Sequence, residues 1–121
     1  IRSSKKDKKD ALSKELQEKF AQAGAEVELS GDYPAWELKK DSKLVEQMCT
    51  LYEKMFLEKP VVLSIHAGLE CGVLADKIKD LDSVSFGPNI YDIHTTKERL
   101  SISSTQQMWE YLVELIQMKE S

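Results

Sequence analysis

Apolar side chains along this chain alternate between helical and strand-like spacing. Across residues 8–23, Leu12, Leu16 and Phe20 recur every fourth position among charges, a narrow stripe that predicts a mostly solvated helix. Gly24 follows in the position favoured for a left-handed cap. Residues 25–29 then alternate apolar and acidic side chains, as in a strand with one face in water, and residues 1–4 read as a strand too. The turn cluster around Gly31, Asp32 and Pro34 sets a boundary near residues 31–40. Beyond it Asp41 can cap a helix in which Leu44, Val45, Met48, Leu51, Tyr52, Met55 and Phe56 form one broad stripe, to be buried against a sheet.

Residues 61–65 are nearly continuously apolar and β-branched, the mark of a strand covered on both faces. A short helix over 69–78 and a strand over 83–86 complete a β-α-β unit, for which a right-handed parallel crossover is expected. Ser103 and Gln106 have capping-box spacing before a last helix with Met108, Trp109, Leu112, Leu115 and Ile116 on one face. The order of elements from residue 41 onward is that of an α/β fold.

Composition narrows the function classes. The chain has 121 residues, 41% hydrophobic and 31% charged, with a net charge of −4, which disfavours a general nucleic-acid binder. The basic cluster Arg2, Lys5, Lys6, Lys8 and Lys9 is interrupted by Asp7 and Asp10 and reads as a solvated turn rather than a binding arm. No apolar run approaches a membrane span or a secretory leader, so a soluble chain in a reducing cytoplasm is expected. Cys49 and Cys71 have no C-x-x-C spacing and indicate neither a disulfide framework nor a zinc knuckle. The start at Ile1, without an initiator Met, leads us to expect a longer parent chain.

Candidate chemistry gathers in two loops at the carboxyl ends of predicted strands, where open α/β sheets bind ligands. Residues 65–72 bring His66 to a strand end and Gly68 just before a helix whose first free N–H groups suit an anion such as a carboxylate. Residues 86–99 form a long connection carrying His94, whose imidazole suits a first-row metal, with Asp92 or Glu98 to orient it. On spacing alone a lone histidine is more often structural than ligating, and one histidine cannot hold zinc. The hydroxyl-rich residues 101–105 read as a helix start, and Cys71 as a packed thiol, so no catalytic group is assigned within the chain.

These two loops, together with residues 30–36, 84–94 and 98–102, resemble the C-terminal part of the aminoacyl-histidine dipeptidases, zinc exopeptidases related to carboxypeptidase G. The resemblance implies a fragment of a two-domain hydrolase that cleaves Xaa-His and other dipeptides with a water activated by two Zn2+ ions. Residues 1–32 would be the second half of an α/β lid or dimerisation domain, and 33–121 the C-terminal segment of the catalytic domain. His94 matches the last zinc ligand, with Glu98 four residues on, while Gly68, His66 and Glu70 fall on the substrate side. The family's His-x-Asp pair, bridging Asp, Glu-Glu pair and remaining carboxylate ligand have no counterpart here, so the chain alone would be inactive. A dipeptide substrate, a homodimer and a cytoplasmic location are implied, with neither nucleic acid nor membrane as partner. The competing class is a non-catalytic dimerisation or interaction module of the same fold.

Overall fold

Helices form where the apolar spacing places them, and the computed structural model describes residues 1–65 and 70–118. Helix α1 spans Lys6–Gln22, α2 Lys43–Phe56, α3 Glu70–Lys77 and α4 Ile102–Gln117. Strands β1, Ile90–Tyr91, and β2, Arg99–Leu100, lie between α3 and α4. They pair antiparallel, Ile90 opposite Leu100 and Tyr91 opposite Arg99. The chain divides into two compact units, Ile1–Ser42 with Val62–Ser83 and Lys43–Val61 with Val84–Ser121.

In the first unit α1 ends at Ala23, and Gly24 takes the expected left-handed conformation at φ 83°. The basic cluster is not a solvated turn: from Lys6 onward it is helical, and Lys9 is only 6% exposed. The Lys9 ammonium donates to Asp32 Oδ1 at 2.5 Å and to the Tyr33 carbonyl at 2.7 Å, tying α1 to the turn that follows it. That hydrogen bond holds the exposed Asp32 carboxyl below the usual carboxylate range. Leu12 and Phe20 on α1 stay largely exposed.

Gly72 of α3 is buried where an added side chain would press on its neighbours. A Cβ there would stand 3.2 Å from the Pro34 carbonyl oxygen and 3.4 Å from Trp36 Cβ. Trp36 is half-buried at this contact, which fixes residues 34–36 on the helix. The Ser42 hydroxyl donates to Asp82 Oδ1 at 2.8 Å, joining the two ends of the same unit.

The second unit is built on α2 and α4. Met48, Leu51 and Tyr111 are its buried centre, with Leu44, Tyr52, Met55, Phe56, Val84, Met108 and Leu115 packed around them. Burying Met48 or Leu51 contributes about 1.5–3 kcal/mol each. Tyr111 sits edge-on to Tyr52 at 5.5 Å and to Phe86 at 5.4 Å, and its hydroxyl donates to the Met48 carbonyl at 2.7 Å. The α2 stripe is therefore covered by a helix rather than by a sheet. On α4 the buried face runs through Met108, Tyr111 and Leu115, and Trp109 is 65% exposed, contrary to its expected place on that face.

The expected parallel β-α-β pairing is not formed among the described residues, whose single sheet is the β1–β2 hairpin. Residues 1–4, 25–29, 61–65 and 83–86 lie in no ladder. A strand exists through its partner's N–H and C=O groups, and no described segment supplies them. The β-branched run is consequently uncovered, with Val61 80% and Leu63 73% exposed.

Candidate metal-ligand loop

The connection between Phe86 and α4, long for a plain strand-to-helix loop, contains the β1–β2 hairpin. Ser101 caps α4, its hydroxyl accepting from the Ser104 N–H at 3.3 Å, so the cap falls two residues before the expected Ser103. The Ser104 hydroxyl, in a residue 7% exposed, accepts from the Asn89 N–H at 2.9 Å and donates to the Ser101 carbonyl at 3.1 Å. The Ser101 N–H in turn donates to the Asn89 carbonyl at 3.0 Å. Through these bonds the base of the hairpin is fixed to the first turn of α4. The helix is held to α2 by Tyr111 and its neighbours.

The tip of the hairpin, residues 92–98, carries Asp92, His94 and Glu98. Asp92 and His94 both adopt left-handed backbone conformations, at φ 51° and 63°. Each such residue costs about 1–2 kcal/mol for an L-amino acid, although Asp tolerates the region better than most. The cost is offset by bonds within the tip. The Glu98 carboxylate accepts from the His94 N–H at 2.8 Å, and the Asp92 carbonyl accepts from the Thr95 N–H at 3.2 Å and the Thr95 hydroxyl at 2.7 Å. Arg99 donates to the Asp92 carboxylate and lies 5.1 Å over the ring of Tyr91, its cross-strand neighbour. Glu98 and Asp92 thus support the backbone that carries the imidazole.

In the first unit Glu70 occupies the first turn of α3 and is exposed. His66 and Gly68 lie outside the described residues. Cys71 is a half-buried free thiol. Among the described residues no three His, Cys, Asp or Glu side chains converge to hold a metal. An imidazole and carboxylates are donor types that suit zinc, and His94 would be one ligand of the roughly three that a catalytic site needs. Sequence reasoning passed over Thr95 and Arg99. Neither had a clear signal, because Ile93 interrupts the polar residues between Tyr91 and Arg99 and a lone hydroxyl does not mark a turn.

No protein-family model matches the chain. The cytosol non-specific dipeptidase of Escherichia coli (strain K12) is 36% identical over 94 residues, 78% of this chain and 19% of that protein. The crystal structure of the aminoacylhistidine dipeptidase from Vibrio alginolyticus superimposes with a TM-score of 0.79 and 34% identity, over 98% of this chain and 24% of that one. The chain therefore spans about a fifth to a quarter of the length of these two relatives.

Proposed function

We propose, from the premise that this chain is a homologue of one stretch of the aminoacyl-histidine dipeptidases, that it is the C-terminal segment of a metal-dependent dipeptidase. The observation that carries this reading is the hairpin tip. It holds the matching histidine in a strained, multiply bonded loop, and such strain persists where a surrounding network fixes it. In this reading His94 is the last ligand of a two-zinc centre, and Gly68, His66 and Glu70 belong to the substrate side. Zinc in such a centre would lower the pKa of a bound water and polarise the peptide carbonyl. This chain's own share is to present one imidazole at a fixed place and to supply part of the binding wall. The remaining ligands and the general base come from outside these 121 residues, so the segment alone hydrolyses nothing.

The same reading assigns residues 1–32 to the second half of a lid domain and 33–121 to the catalytic domain. There a sheet of the longer protein pairs with residues 61–65 and 83–86 and covers the exposed Val61 and Leu63. It also assigns a cytoplasmic homodimer acting on Xaa-His and other dipeptides. The experiment is His94→Ala in the full-length protein. We expect dipeptide hydrolysis to fall by at least about a hundredfold, as losing a ligand misplaces the activated water. Circular dichroism should be unchanged, and parental activity would overturn the assignment. Full-length protein that hydrolyses no dipeptide with or without added zinc would favour the interaction module instead.

A further inference from the structure

We propose that Thr95 is the positioning residue of the hairpin tip, holding the left-handed turn that presents His94; this rests on the reading of His94 as a metal ligand. Thr95 sits at the centre of the bonds that close the tip. Its N–H and hydroxyl both donate to the Asp92 carbonyl, at 3.2 and 2.7 Å. Its hydroxyl oxygen accepts from the Lys97 N–H at 3.2 Å, and its carbonyl accepts from the Glu98 N–H at 3.2 Å. The last two bonds turn the chain so that Glu98 returns its carboxylate to the His94 N–H at 2.8 Å. The hydroxyl links the segment before His94 to the segment after it at the tip itself, because it donates to residue 92 and accepts from residue 97, while Arg99 on Asp92 and the β1–β2 pairing close the hairpin below it.

The left-handed conformations at Asp92 and His94 bracket this bond network. Backbone in sparsely populated regions keeps one geometry only when its surroundings over-determine it. Without the Thr95 hydroxyl, fewer bonds oppose the relaxation of residue 94 towards the ordinary right-handed or extended regions, and its imidazole moves with it. Groups that orient a metal ligand from behind are worth about 10–100-fold in metal affinity when buried. The tip is exposed, where hydrogen bonds are worth less, so a smaller effect is expected here.

The test uses the full-length protein with three substitutions. Thr95→Val keeps the shape and removes the hydroxyl, Thr95→Ser keeps the hydroxyl, and His94→Ala removes the ligand. We expect Thr95→Val to weaken zinc binding, measured against a competing chelator, by about three- to tenfold. It should raise hydrogen exchange in a peptide covering residues 92–98 of the metal-free protein. Thr95→Ser should restore both to within about twofold of the parent. If Thr95→Val fails to fold, Thr95→Ala removes the same bonds without the branched methyl and carries the same expectation. Parental affinity and exchange in the Val or Ala variant, or failure of Ser to restore them, would overturn the proposal. Unchanged zinc affinity in His94→Ala would instead overturn the ligand reading, whatever the exchange at the tip shows.

Discussion

At Tyr111 one polar atom is fitted into an apolar contact set. The ring is 3% exposed and packs against Tyr52, Phe56 and Phe86, while its hydroxyl finds the Met48 carbonyl. Burial, with smaller contributions from Cys49 and Tyr52, pushes its pKa from 10.0 up to about 12. The folded state thus favours the neutral phenol more than the unfolded chain does. The resulting stability is fully present below pH about 10 and is lost as pH rises towards about 12. Tyr111→Phe should cost the chain about 0.5–1.5 kcal/mol at neutral pH by removing the bond to Met48. It should also flatten the fall in stability between pH 10 and 12. Urea denaturation of both chains across that range checks this, and an identical alkaline slope in the variant would contradict it.

At the scale of elements, what could be read in advance was whatever depends on short-range spacing. The four-residue recurrence on α1, the stripe on α2 and the glycine after α1 all appear where the pattern puts them. Spacing does not say what covers a stripe. Two faces can carry apolar side chains on one helix, and only the meeting of α2 with α4 decides that Tyr111 is buried and Trp109 is not. Strands were the least legible, because a strand is a relation between two segments. The run at residues 61–65 has strand composition and no described partner, whereas the two-residue strands of the hairpin have partners and almost no compositional signal. The candidate site shows the same division. His94 and Glu98 stood out because whole stretches around them matched a family, while Thr95 acts through turn geometry that a lone hydroxyl does not announce.

Taken as a whole molecule, the chain has a thin core and much uncovered apolar surface. Met48, Leu51 and Tyr111 are its buried hydrophobics among the described residues, while Val61, Leu63, Trp109 and Ile116 are 80%, 73%, 65% and 73% exposed. Exposed apolar surface of this kind favours association, and twofold pairing is the commonest outcome for identical chains. Sedimentation equilibrium of the isolated chain at micromolar concentrations should therefore show a dimer, and a constant mass of 13.8 kDa would contradict this.

The central claim is that this segment carries a metal ligand of a longer dipeptidase and that the ligand is His94. Anomalous diffraction at the zinc edge from crystals of the full-length, zinc-loaded protein measures it most directly. The account predicts two zinc peaks per subunit, one of them about 2.0–2.1 Å from a ring nitrogen of His94. Zinc bound elsewhere, with no peak within bonding distance of that imidazole, would contradict it.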